Sequence, residues 1–129
     1  MQNTGVNSIR WRIKETNDGS FEFKTLIIHP METGQRRDKA TGEKVPAHFI
    51  KLLRAHLDDI LLIEMHLGEN VSKNPYFRFE IMETMYNGQN FRVSWVDNNG
   101  MTIKHEAIVN FDENRAFNFK GHIEPDVYQ

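Results

Sequence analysis

Histidine and methionine are the side chains in this sequence that could bind a metal ion. The chain has six His, six Met and no Cys, which excludes a thiolate zinc site, a disulfide and a cysteine nucleophile. His29 and Met31 are two residues apart, and imidazole with thioether is a donor pair that suits copper. A metal site needs further converging ligands, which no histidine spacing in the chain provides. We therefore predict no metal site and no cofactor.

The sequence also contains no recognisable arrangement of residues for covalent or acid–base catalysis. The Gly-x-Ser-x-Gly pattern of a serine nucleophile is absent, and Ser94 lies inside a predicted strand. The adjacent acids Asp58 and Asp59 are explained by a turn. Lys and Arg number 16 against 18 Asp and Glu, and a net charge of −2 does not favour binding to nucleic acid. We predict that the chain has no catalytic residues, is not an enzyme and binds no nucleic acid.

The segment 24–37 is the most informative part of the chain. Its apolar run stops at Pro30, which cannot donate a ladder hydrogen bond, and Gly34 permits the positive φ of a tight turn. A loop that is fixed at both ends and displays polar side chains is typical of a binding site. The side chains that this loop would present are His29, Met31, Glu32, Gln35 and Arg36.

Several methionine and aromatic residues fall outside the clear core positions. They are Met31, Met82, Met85, Tyr86, Phe117 and Phe119. Both kinds of side chain are enriched at protein interfaces. They favour a protein that binds another protein, and the alternative is that they cover the open ends of a sandwich.

Short alternating segments predict an all-β fold. A length of 129 residues, with 39% hydrophobic and 26% charged residues, suits a single domain 1–129 with a core of about 8–111. Apolar and polar residues alternate as in half-buried strands, and Asp97-Asn-Asn-Gly100 predicts a hairpin. About seven strands is the number in an antiparallel immunoglobulin-like β-sandwich, in which Trp95 would be a core aromatic. The predicted strands are 9–13, 21–28, 47–57, 60–67, 76–81, 91–96 and 101–109.

The segment 47–67 carries two conflicting signals. Residues recur at helical spacing, and Pro46 would suit the first turn of a helix. The alternative is two strands joined by a turn at Asp58-Asp59. We predict the hairpin, because the rest of the chain follows an antiparallel pattern and tertiary context overrides helix propensity in such runs.

The two ends of the chain carry separate predictions. The first ten residues contain no charged stretch followed by an apolar one, so we expect no secretory signal peptide. No apolar run approaches the ~20 residues that span a bilayer, so we expect no membrane insertion. Residues 112–129 are polar and are interrupted by Gly121 and Pro125, and we expect a tail that packs loosely or docks on a partner.

Four segments match a known family in order and spacing. The most specific mark is His-Pro-Met-Glu followed closely by Gly-Gln-Arg, and over about 9–111 the chain resembles the SoxZ family of bacterial sulfur-compound oxidation. Asp58-Asp59 stands where the family commonly has a turn pair such as Asn-Gly, and no family motif matches beyond Asp112. The matching segments are Lys24–Arg37, Pro46–Ile50, Val71–Tyr76 and Trp95–Gly100.

The resemblance implies an immunoglobulin-like sandwich that acts as a non-catalytic scaffold. It implies pairing with a SoxY-like carrier protein, as a heterodimer or a multiple of it. A Cys on the flexible C-terminal arm of SoxY carries covalent sulfur intermediates while other enzymes of thiosulfate and sulfur oxidation act on them. A periplasmic location, reached by co-export with the signal-bearing partner, is also implied. The residues expected to contact the partner or its arm are His29, Pro30, Met31, Glu32, Gly34, Gln35, Arg36, Asn74, Pro75 and Tyr76.

Two other classes of protein remain open. One is a generic β-sandwich adaptor that binds another protein through an edge strand. The other is a small periplasmic copper-handling protein that uses His29 and Met31.

Overall fold

The computed structural model describes residues 8–122 and 125–126, and all of its regular secondary structure is β-strand. None of this described part is a helix long and apolar enough to cross a membrane. Eight strands have six to eight residues each, and a ninth has two. The strands are β1 Ser8–Glu15, β2 Phe21–Ile27, β3 Ile50–Leu57, β4 Ile60–His66, β5 Tyr76–Ile81, β6 Asn90–Asp97, β7 Thr102–Ile108, β8 Ala116–His122 and β9 Pro125–Asp126.

The strands form two antiparallel sheets packed face to face. One sheet has the order β5-β2-β1-β8, and the other has the order β4-β3-β6-β7-β9. The neighbours β5-β2-β1 in one sheet and β3-β6-β7 in the other are arranged as in immunoglobulin-like sandwiches. The predicted all-β, antiparallel immunoglobulin-like sandwich is therefore confirmed.

Alternation along the strands places the apolar side chains between the two sheets. Phe21, Phe23 and Ile27 of β2 point inward, and the residues between them are half-buried apart from the buried Thr25. Trp95 of β6, predicted to be a core aromatic, is 1% exposed. Fully burying a large apolar side chain stabilises a fold by about 1.5–3 kcal/mol, so this interior is the main source of stability.

The segment 47–67 forms the predicted hairpin and not the helix. β3 lies between β4 and β6 and pairs with both, and Leu53, Ala55 and Leu57 face the core. The turn at 58–59 begins with Asp58 at φ 51°. Because both edges of β3 are hydrogen-bonded to neighbouring strands, the pairing outweighs the helical propensity of the same residues.

The prediction of a loosely packed tail is wrong for residues 112–122. β8 pairs with β1 over seven positions, from Ser8↔His122 to Lys14↔Ala116. Phe117 is buried, and its ring centroid lies 4.9 Å from that of Trp11. The polar composition misled the prediction, because an edge strand needs apolar residues only on its inward face. Residues 123–124 and 127–129 of the predicted tail lie outside the described residues.

Candidate functional site at the loop end of the sandwich

Loops from four parts of the chain meet at one end of the sandwich, which we call the loop end. The backbones of Glu32 and His48 exchange two hydrogen bonds of 2.7 and 3.0 Å. The side chain of Asn98 accepts from the Phe49 N–H and donates to the Ala47 carbonyl, at 2.8 and 2.9 Å. The structure thus brings together the segments on which the family resemblance rests. The loop end consists of residues 28–37, 45–49, 71–75 and 97–101.

Asn74 holds the start of the loop 28–37 in place. Its backbone N–H donates to the His29 carbonyl at 2.9 Å, and its side-chain Oδ1 accepts from the His29 N–H at 2.9 Å. Asn74 has φ 53°, a left-handed conformation that Asn tolerates because its short polar side chain bonds locally. The carbonyl of Pro75 accepts from the Ile27 N–H at 3.0 Å. Asn74 and Pro75, both predicted partner contacts, therefore fix the loop.

Met31 and Gly34 give the loop its shape. Met31 is 4% exposed at φ 49°, and its Sδ accepts from the Ile50 N–H at 3.4 Å. Gly34 has the positive φ that was predicted, 88°. A Cβ at Gly34 would lie 3.2 Å from the Cβ of Ala47, so a larger residue would meet both strain and a close contact.

His29, His48 and Asp97 form a compact polar group at the base of the loop end. Each offers one ligand-type atom, and the three atoms lie within 4.8 Å of one another. Asp97 is buried, its Oδ2 lies 3.1 Å from Nε2 of His48, and its Oδ1 accepts from the backbone N–H groups of Asn99 and Met101. The His29 ring meets the His48 ring edge-on at 4.7 Å. The group links the turn after β6 to the loops after β2 and before β3.

The proton positions on His29 do not favour a metal ion in this group. The Met31 N–H donates to Nδ1 of His29 at 3.1 Å, so Nδ1 is an acceptor and the neutral ring carries its proton on Nε2. A metal ligand needs a free lone pair, so an ion could bind this ring only by displacing the Met31 N–H from Nδ1 or by moving the ring proton away from Nε2. Burial of the ring lowers the pKa of His29 to about 4, with a further contribution from His48. The Met31 sulfur is buried and already accepts from the Ile50 N–H, which does not favour the copper alternative.

The predicted partner-contact residues divide into buried anchors and accessible side chains. His29, Met31 and Pro75 are buried, whereas Pro30, Glu32, Gly34 and Asn74 are half-buried. The exposed members are Gln35, Arg36 and Tyr76. The anchors can act on a partner only by shaping the loop, so direct contact falls to the half-buried and exposed members.

Glu32 and Arg36 form a two-point ion pair on the accessible side of the loop. Nε and Nη2 of Arg36 donate to the two carboxylate oxygens of Glu32, at 3.0 and 2.7 Å. These hydrogen bonds lower the pKa of Glu32 and raise that of Arg36. The pair holds a planar guanidinium in a defined position at the surface.

Sequence reasoning did not assign His48, Asp97 or Asn98 to the site. All three lie in segments that carry the family resemblance, and that was the available signal. His48 and Asp97 are 49 residues apart, so only the strand arrangement shows that they touch. The methionine and aromatic residues proposed for an interface also differ in burial. Met85 and Phe117 are in the core, Phe119 is half-buried, and Met82 and Tyr86 are exposed.

Comparison with protein families identifies what this chain resembles. The family model described as sulphur oxidation protein SoxZ matches residues 9–108, which is most of the chain. Among curated proteins, no match is found. The matched region spans β1 to β7 and includes every segment of the loop end. The chain therefore belongs to the SoxZ family and is a subunit of a sulfur-oxidation complex.

Proposed function

We propose that this chain is the non-catalytic scaffold subunit that binds a SoxY-like carrier protein. The arm cysteine of that carrier holds covalent sulfur intermediates while other sulfur-oxidation enzymes act on them. The pair would function in the periplasm, after co-export with the signal-bearing carrier. The chain has no Cys, so it cannot compete with the carrier thiol for sulfane sulfur by thiol–disulfide exchange.

The observation that carries the proposal is the construction of the loop end. Gln35 and Arg36 are exposed on a loop whose base is fixed by buried Met31 and by the clamp between His29 and Asn74. A preorganised loop loses little conformational entropy when a partner binds it. This rigidity supports a docking surface for a protein.

Co-expression with a SoxY-like carrier tests the proposal directly. We expect a complex on size exclusion whose carrier cysteine shows a sulfur adduct by mass analysis. In the Gln35→Ala/Arg36→Ala variant we expect the affinity for the carrier to fall about tenfold, because an anchoring Arg at an interface is commonly worth more than 1 kcal/mol.

Arg54→Ala is the matched control for this variant. Arg54 is exposed and pairs with one glutamate, Glu64, at 2.9 Å, as Arg36 pairs with Glu32, but it lies in β3 away from the loop end. The control should bind the carrier as the unchanged chain does. Equal affinity in the loop variant and the unchanged chain would remove the loop end from the interface.

The adaptor alternative is favoured by one feature, the free edge of β4. This strand ends its sheet and exposes Ile60 and Leu61, at 43% and 48%. An extended segment of a partner could pair there. If Leu61→Lys abolishes carrier binding and the loop variant does not, the edge strand is the docking surface.

A further inference from the structure

The outer face of the four-stranded sheet carries a dense group of positive charges, which we call the basic face. Its acidic residues are Glu22 and Glu80, on a chain whose net charge is −2. The strand alternation that buries Ile9, Trp11 and Ile13 turns the residues between them outward. The cationic residues of the basic face are Arg10, Arg12, Lys14, Lys24, Arg78 and Lys120.

The strand register places like charges side by side. Arg12 pairs with Lys24 across β1 and β2, and Lys24 pairs with Arg78 across β2 and β5. Directly opposed residues on neighbouring strands have Cβ atoms about 5 Å apart, and like charges there destabilise the sheet. Glu22 offsets part of this repulsion through ion pairs with Arg78 and Lys24. Within the described ranges, no carboxylate lies at ion-pair distance from Arg10 or Arg12.

On the outer face of the other sheet, two arginines lie beside acidic residues. Arg54 pairs with Glu64 at 2.9 Å, and Arg92 lies 3.7 Å from Glu106. Each of these arginines faces an acid across the strand pair. Among the described strand pairs, directly opposed Lys and Arg residues are therefore found in the four-stranded sheet and not in the five-stranded one.

A shallow depression of about 210 Å³ lies within the basic face. Its lining combines the cations Arg10, Arg12 and Lys24 with Leu26 and Tyr76, and it also includes Trp11 and Thr25. Tyr76 is 57% exposed. Cations beside Leu26 and Tyr76 suit an acidic side chain, whose carboxylate can meet the cations while its methylene groups contact the apolar atoms.

We propose that the basic face binds an acidic segment of a protein partner, with carboxylates at alternate positions of an extended chain. Arg10, Arg12 and Lys14 repeat every second residue of β1, a spacing of about 6.6–6.8 Å that an extended acidic chain shares. The open, flat shape and the presence of Leu26 and Tyr76 favour a protein over a small oxyanion, which is held by enclosing donors. The acidic pI of about 6.3 does not favour a nucleic acid.

A labelled peptide of alternating Glu and Thr is the probe, measured by fluorescence anisotropy at low and at physiological salt. We expect binding that weakens with salt, because exposed charge interactions are screened. The Arg10→Gln/Arg12→Gln variant should lose about fivefold or more in affinity, at the typical worth of two exposed charge contacts. The matched control is Arg54→Gln/Arg92→Gln, which removes the same charge from the other sheet and should bind as the unchanged chain does.

The melting temperature separates a binding role of Arg10 and Arg12 from a structural one. Arg10→Gln/Arg12→Gln should leave the melting temperature unchanged or raise it, because repulsion is relieved and no ion pair is lost. Three results would overturn the proposal: no peptide binding at low salt, an equal loss in both double variants, or stronger binding of single-stranded DNA or inorganic sulfate than of the peptide. The peptide assay contains no carrier protein, so a negative result in it leaves the proposed binding of the SoxY-like carrier unaffected.

Discussion

At the scale of single residues, the loop end concentrates conformations that side chains usually avoid. Among the residues that the structure describes, four non-glycine residues have positive φ, and two of them, Met31 and Asn74, lie in this end. A long side chain such as Met at φ 49° costs free energy that the surrounding contacts must offset. Met31 is held by the Ile50 N–H and by His29, and Asn74 is held by two hydrogen bonds to His29. His29 is thus the residue on which both strained positions depend.

Buried His29 should make stability depend on pH. Its folded pKa of about 4 lies below the ordinary value of 6.5, so the unfolded chain binds more protons between these values. The free energy of unfolding should therefore fall as pH drops from 6.5 towards 4. The substitution His29→Asn keeps an acceptor for the Met31 N–H, but the Asn side chain does not bind a proton in this pH range. Between pH 7 and pH 5 it should lose about 1–2 kcal/mol less stability than the unchanged chain, measured by urea denaturation.

His66→Asn is the control for this measurement, because His66 is exposed on β4. It retains His29, and the half-buried His56 and His105 also have lowered pKa values, so its stability should fall more steeply between pH 7 and pH 5 than that of His29→Asn. If His29→Asn leaves the slope between pH 7 and pH 5 unaltered, then His29 is not held neutral by burial.

At the scale of elements, β8 completes the four-stranded sheet. Without it, β1 would have a free edge, and unpaired strand edges promote association between chains. β8 also brings Phe117 and Phe119 against Trp11, with ring centroids at 4.9 and 5.7 Å. The last described strand of this sheet is therefore part of the folding unit, although the family match ends at residue 108.

Phe117→Ala should test the contribution of β8. Removing a buried aromatic side chain leaves a cavity, so the free energy of unfolding should fall by about 3–5 kcal/mol, measured by chemical denaturation. The neighbouring Asn118 points outward, and Asn118→Ala should change stability by less than about 0.5 kcal/mol. Similar values for the two variants would mean that β8 is not packed against the core.

At the scale of the whole molecule, the two sheets share one interior. Trp11 in the four-stranded sheet and Trp95 in the five-stranded sheet are both buried in the same cluster of apolar side chains. Phe91 of β6 packs against Trp11, at 4.8 Å between ring centroids. Neither sheet has a separate core, so we expect them to unfold together.

Variants with a single tryptophan should show this cooperativity. Trp95→Phe leaves Trp11 as the fluorescent reporter of one sheet, and Trp11→Phe leaves Trp95 as the reporter of the other. Within each variant, the denaturation midpoint by fluorescence should coincide with the midpoint by circular dichroism. A fluorescence midpoint that precedes the dichroism midpoint in one variant would indicate that its sheet unfolds first.

The sequence by itself determined the first seven strands, the main turns and the family. Alternation of apolar and polar residues identifies the strands Phe21–Ile27 and Asn90–Asp97. Successive side chains of a strand point to opposite faces, so a period of two can be read from the local sequence. Asp97–Gly100 forms the predicted turn, with Gly100 at φ 85°, because turn chemistry is equally local. The hairpin at 47–67 was predicted from the neighbouring strands and not from its own residues.

Only the tertiary structure decided which distant residues meet. His29, His48 and Asp97 form one group because β2 and β6 end where β3 begins, and no local pattern encodes that meeting. The row Arg12, Lys24 and Arg78 depends on the register of three strands, in which a shift by one residue would reverse the face of every side chain. β8 was not predicted because the polar composition of 112–129 indicated a tail. It forms a strand because the edge of β1 supplies the hydrogen-bonding partner. Contacts between distant residues follow from packing and pairing of whole strands, and these are properties of the folded molecule.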